Sequence, residues 1–155
     1  MKLAIFALLV ATAHGSSVQC NVLDAAGSKC TGTCTTSTPT PVKGTNFTIT
    51  AKGICTVDVT AASYDCTGKF AGLPVINQHC DDACKDSDFA IGGALNMGHM
   101  YIAGAGCPVT QGNTMTIVST AYVGTTAPGG TLTSELTAKD GAGNKLLDLQ
   151  VVISL

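Results

Sequence analysis

The sequence predicts an all-β domain stapled by disulfides, and three observations carry that prediction. Thr, Val and Ile recur, while the helix formers Glu, Arg, Gln and Leu rarely form runs, a balance that favours strands. Short apolar-alternating segments are separated by Gly, Pro, Asn and Asp, the punctuation of a sandwich or barrel. Eight cysteines, an even number, all lie beyond residue 15, which reads as a disulfide framework.

The N-terminus sets the compartment. Met1-Lys2 is a short positive start, Leu3 to Ala13 is apolar, and small residues at Ala13 and Gly15 precede Ser16-Ser17. This is the layout of a secretory signal peptide. Its apolar run of about 11 residues is well short of the roughly 20 that span a bilayer. Residues 1–15 are therefore expected to be a signal peptide cleaved after Gly15, and 16–155 a single domain with its own core. The expected location is secreted, either extracellular or in the endolysosomal lumen, where cysteines oxidise.

Within the domain, Val18 to Leu23 reads as a first short strand. Lys29 to Pro41 reads as a Cys- and Thr-rich connection, since Pro39 and Pro41 argue against a central strand. Asn46 to Ala51 alternates, with Phe47 and Ile49 on one face. Ile54 to Ala61 continues the alternation through Val57 and Val59. Lys69 to Val75 is a further strand, broken by Gly72 and Pro74. Cys80 to Cys107 is the least regular stretch, acidic at Asp81, Asp82, Asp86 and Asp88 and then apolar with interspersed glycines. Such a long connection is usually functional or disordered, and its apolar content argues against disorder. Thr114 to Val123 and Thr131 to Ala138 are strands. Lys139-Asp140-Gly141 signals a hairpin, and Leu146 to Ile153 closes the chain. The reading gives seven or eight strands and no helix.

The charge pattern excludes one class. There are eight Lys, no Arg and ten acidic residues, with no basic stripe to neutralise phosphates, so no nucleic-acid partner is expected. No catalytic motif is present either. There is no G-x-S-x-G and no H-E-x-x-H. The glycines at Gly92-Gly93 and Gly104 to Gly106 lack the lysine of a phosphate loop. The acidic cluster lacks calcium-loop spacing. A zinc site from His79, Cys80, Cys84 and His99 lacks the usual C-x2-C spacing. The expectation is a non-enzyme with no metal and no cofactor. Asn46-Phe47-Thr48 is the one N-glycosylation sequon.

Eight cysteines permit 105 pairings. Spacing alone suggests Cys30 with Cys34 around Gly32, Cys55 with Cys66 as antiparallel neighbours, and Cys80 or Cys84 with Cys107, leaving Cys20 the remaining cysteine. Each bridge is worth ~2–4 kcal/mol.

The order of these features resembles the MD-2-related lipid-recognition (ML) family, of the Niemann-Pick type C2 and ganglioside-activator kind. The residues that carry the resemblance are Cys30 to Gly44, Gly72 to Val75, Gly106 to Gly112 with Cys107-Pro108 at its centre, and Leu136 to Ile153. It implies an immunoglobulin-like sandwich of two antiparallel sheets with an internal apolar cavity for a lipid. Phe47, Ile49, Phe70, Val75, Met115 and Ile117 would face that cavity, as would Val123, Leu136 and Val151. Phe89, Met97 and Met100 would sit at its entrance, in the segment Phe89 to Ile102. The implied partners are a lipid ligand (a sterol, or a phospholipid or glycolipid tail) and a transient membrane surface, with the chain a monomer. Two other readings fit the same residues: a recognition or structural sandwich with a solid core, and a glycolipid-presenting activator of a hydrolase. The chain departs from the family at Leu146 to Gln150, where many members carry a cysteine that pairs with the first one. It also departs at Asn77 to Ala105, a longer loop than in the sterol carriers.

Overall fold

The computed structural model describes residues 15–23 and 26–155. The expected signal peptide lies outside the described residues apart from Gly15. Among the described residues, ten strands form two antiparallel five-stranded sheets. They are β1 (Ser17–Leu23), β2 (Cys30–Thr36), β3 (Asn46–Cys55), β4 (Ala62–Phe70), β5 (Leu73–Cys80), β6 (Ser87–Ile91), β7 (Gly98–Ala103), β8 (Thr114–Val123), β9 (Thr131–Asp140) and β10 (Lys145–Ser154). One sheet has the order β1-β10-β9-β4-β5 and the other β2-β3-β8-β7-β6. The molecule is thus an all-β sandwich, as the composition predicts.

Alternation explains the layers. In β8, Met115, Ile117, Ser119, Ala121 and Val123 are buried while Thr114, Thr116, Val118 and Thr120 are not. A residue period of 2 puts one set on each face of the sheet. The opposing wall comes from β9 and β10, where Leu132, Leu136, Leu147, Leu149 and Ile153 are buried. Thr and Ser fill the outer faces, where β-branched side chains fit the pleat without apolar exposure.

Several expected boundaries move. Residues 30–36, read as a connection, form an edge strand paired with β3. Its Thr residues suit a strand, and Pro39 and Pro41 fall beyond its end. The strand expected over Ile54 to Ala61 does not form. Pairing stops at Cys55, and Val59 makes only an isolated bridge to Val109. The strand expected at Lys69 to Val75 is instead the hairpin between β4 and β5, turning at Ala71 (φ 48°) and Gly72 (φ 84°). β4 escapes a hydrophobicity pattern because its inward residues are Ala62, Tyr64, Cys66, Gly68 and Phe70. The irregular stretch from Cys80 to Cys107 holds a regular hairpin of β6 and β7, with Phe89 opposite Met100. A single 3-10 turn, Gly93–Leu95, joins them.

Of the expected disulfides, Cys84 with Cys107 forms and the others do not. Cys20 pairs with Cys34, Cys30 with Cys55, and Cys84 with Cys107, while Cys66 and Cys80 are free thiols. Cys30 and Cys34 lie four residues apart on one strand, which places them about 13 Å apart, too far to bridge. Cys55 and Cys66 end up in different sheets, whose separation is about 10 Å. Cys66 stands opposite Gln78, and Cys80 opposite Tyr64. The two thiols are thus diagonal neighbours, at about 7–8 Å, beyond the usual bridging range. Cys20, which lacks a partner in β10, reaches across the sandwich edge from β1 to β2 instead.

Candidate functional site

Both flanks of the sandwich are tied. At one, Cys20–Cys34 joins β1 to β2, and Val18 N–H donates to the Pro39 carbonyl at 2.8 Å. At the other, β5 lies against β6, and Gly92 N–H donates to Val75 O at 2.9 Å. Between the flanks the layers meet through side chains, and there the structure leaves an apolar slot. From β4 and β9 come Ala62, Tyr64, Leu136 and Ala138. From β7 and β8 come Ile102, Ala103, Met115 and Ile117. Ala83 and Ala105 close it from the loops that carry Cys84 and Cys107.

The slot is narrow, with an enclosed space of about 10 Å³, close to the minimum for one water molecule. In place of the apolar cavity implied by the resemblance, the structure has this small slot between the sheets. Half of the lining residues are alanine, so the walls are smooth and short.

A backbone clip crosses the slot's end. Ala83 N–H donates to Ala62 O at 2.7 Å, and Ala105 N–H donates to Ala83 O at 2.9 Å. The Cys84–Cys107 bridge fastens the two loops together. Gly104 is required at this crossing, because a Cβ there would stand 2.3 Å from the Cys84 carbonyl oxygen. The acidic residues of this region fasten the same loops. Asp86 accepts the Gly104 N–H at 2.9 Å and the Tyr101 hydroxyl at 2.5 Å. The Gly104 N–H, and after it the Tyr101 hydroxyl, hold the Asp86 carboxyl below its usual range. Asp82 accepts Cys84 N–H at 3.2 Å and pairs with Lys85 at 2.8 Å, and Lys85 lowers its pKa. Among the described residues no group of three His, Cys, Asp or Glu side chains is placed to hold a metal ion.

The interior has few polar groups. The Tyr64 hydroxyl is hydrogen-bonded to Ser87 Oγ across the sheets, and burial raises its pKa. Cys66 lies 3.6 Å from Ser134 Oγ, and burial pushes its thiol up. Among the described residues, His79 and His99 lie on the outside. His79 sits between Asp65 at 2.6 Å and Asp81 at 2.9 Å, while His99 lies 3.2 Å from Asp88.

Of the residues expected at the cavity, Met115, Ile117 and Leu136 line this slot. Phe47, Ile49, Phe70, Met97, Met100, Val123 and Val151 are buried in the same core but not on it. Val75 faces an open groove of about 490 Å³ at the β5–β6 flank, shared with Leu73, Ile76 and Leu95. Phe89 lines a shallow surface hollow with Asp88 and His99. Of the residues expected at the entrance, Met97 and Met100 are packed into the core and Phe89 lies partly buried against it. The missed lining residues are mostly alanines. Their one trace in the sequence is Ala103-Gly104-Ala105 ahead of Cys107. Asn46 is exposed at the start of β3.

Comparison with known proteins fits this geometry. The chain superposes on a Niemann-Pick type C2 protein from the Japanese carpenter ant with a TM-score of 0.57 and 14% identity, covering 85% of this chain and 96% of that one. Chicken MD-1, solved in complex with lipid IVa, gives a TM-score of 0.57 and 10% identity, covering 90% of each chain. No curated protein matches the sequence. At these identities the two structures establish a shared fold. The sequence profile of the ML domain matches residues 16–154, and the chain therefore belongs to the ML-domain family.

Proposed function

We propose that this chain is a lipid-binding protein without catalytic activity, which holds an apolar ligand between its two sheets. The observation that carries the reading is the apolar slot of an ML domain, lined from both sheets and clipped at one end. The fold neighbour chicken MD-1 was solved with a lipid, lipid IVa, which supports it. Burying a tail gains about 0.8 kcal/mol per methylene, so binding needs no elaborate polar recognition. In this reading the protein works as a monomer in a secreted or endolysosomal setting, takes lipid at a membrane surface, and carries a glycan on Asn46. The ligand classes open to it are a sterol and the tail of a phospholipid or glycolipid.

The test is extraction. Delipidated protein is incubated with mixed-lipid vesicles, re-isolated, and its lipid content measured. Stoichiometric lipid is expected, and protein that returns lipid-free contradicts the reading. A second reading, a solid-core recognition sandwich, is favoured by the small enclosed space of about 10 Å³. The same lipid-free result would support it.

A further inference from the structure

We infer that the outer face of the sheet β2-β3-β8-β7-β6 carries a platform for the chain's own N-linked glycan, on which the sugar attached to Asn46 lies across Tyr122 and His99. The inference rests on the glycan on Asn46 proposed above and says where that glycan goes.

The strand register places the partners. Asn46 stands directly opposite Tyr122, Tyr122 opposite His99, and His99 opposite Ala90. Directly opposite residues of an antiparallel pair share a face, with Cβ atoms about 4.5–5.5 Å apart. Their strand neighbours Phe47, Ala121 and Met100 are buried, so the shared face is the outer one. The four residues therefore form one row across β3, β8, β7 and β6. Asn46, the acceptor of the sequon Asn46-Phe47-Thr48, is exposed at the head of that row, as a glycosylated asparagine must be.

The row differs in chemistry from the face around it. Along β8 the outward residues before Tyr122 are Thr114, Thr116, Val118 and Thr120, and a large ring stands only beside the sequon. The Tyr122 and His99 rings lie 5.6 Å apart between centroids, tilted by 37°, and present one continuous aromatic surface. From β6, Asp88 Oδ1 lies 3.2 Å from His99 Nδ1 and steadies that ring. Beyond His99 the row ends at Ala90, in the hollow of about 350 Å³ that Asp88, Phe89 and His99 also line.

These features suit the start of an N-linked glycan, which is two linked N-acetylglucosamines. A pyranose offers a ring face lined by C–H groups, which the electron-rich face of an aromatic ring attracts, and a polar rim of hydroxyls. From Asn46 to His99 is two strand spacings, about 10 Å, the reach of two linked pyranoses. The first sugar thus covers Tyr122. The second covers His99 and brings its hydroxyls to the hollow, where the Asp88 carboxylate can accept from them.

The experiment uses the whole chain secreted from mammalian cells that make only high-mannose glycans. Intact mass, compared with that of Asn46→Gln, establishes occupancy. An endoglycosidase then trims the glycan to its first N-acetylglucosamine, whose C–H signals are followed by NMR. They should lie upfield of the same signals in free N-acetylglucosaminyl-asparagine, through the ring current of Tyr122. The upfield shift should persist in Tyr122→Phe and vanish in Tyr122→Thr, a replacement that matches the rest of the β8 row and suits a strand. Tyr122→Val serves the same purpose should Tyr122→Thr not fold. Sugar signals at the free position, or shifted signals that neither replacement moves, overturn the platform while leaving the glycan in place. Absence of any glycan on Asn46 overturns both, and neither result bears on lipid binding.

Discussion

Two residues define testable chemistry of their own. Cys66 is 1% exposed and unpaired, and burial raises its pKa, so little reactive thiolate is available. In native buffer Cys66 should not react with a thiol reagent, and in denaturant two thiols should appear, from Cys66 and Cys80. No thiol in denaturant would show a fourth bridge and contradict the pairing. The even cysteine count made four bridges the natural reading. Which cysteines face each other depends on strand register, and spacing does not carry register. His79 is the second case. Asp65, and after it Asp81, raise its pKa above the usual 6.5, while Lys139, and after it His79, lower that of Asp65 below 3.8. A raised histidine pKa stabilises the fold in full below pH 6.5, and that contribution is lost as pH rises through the folded value. The Asp65 contribution is present above 3.8 and is lost as pH falls through its lower folded value. The stability gap between wild type and His79→Asn should therefore be wider at about pH 5.5 than at about pH 8.5 in urea titrations. An unchanged gap would show that these exposed pairs do not act on folding.

At the scale of elements, the crossing of the Cys84 and Cys107 loops is the most specified feature. Gly104→Ala places a methyl against the Cys84 carbonyl and should cost ~1–3 kcal/mol through backbone shifts, read as a lower urea midpoint. An unshifted midpoint would mean that the loops are not pressed together. Strands with inward Phe, Ile, Met or Leu, such as β8 and the start of β3, were legible from alternation. β4 was not, since Cys66 and Gly68 occupy inward positions that hydrophobicity does not mark. The β6–β7 hairpin was hidden by glycines that interrupt its apolar face. The slot residues were the least legible. An alanine says nothing about what stands opposite it, and the slot exists only where β4 and β9 confront β7 and β8.

At the scale of the molecule, one core joins both sheets. Leu146, with 0% exposure, belongs to that core on β10 and does not line the slot. Leu146→Ala should cost ~2–5 kcal/mol, measured by denaturant unfolding, and an unchanged stability would contradict a close-packed interior there. Fold class and family resemblance were available from composition and motif order, because they depend on the chain as a whole. The size of the interior space was not, because it is a small difference between large packed volumes. The proposal that lipid enters between the sheets at the alanine slot is checked by methyl NMR of the labelled domain titrated with palmitate. Large shifts are expected for Ala62, Ala138, Met115 and Leu136, with small ones for Leu73 and Leu95 at the edge groove. Shifts confined to the edge groove, or absent throughout, would contradict it.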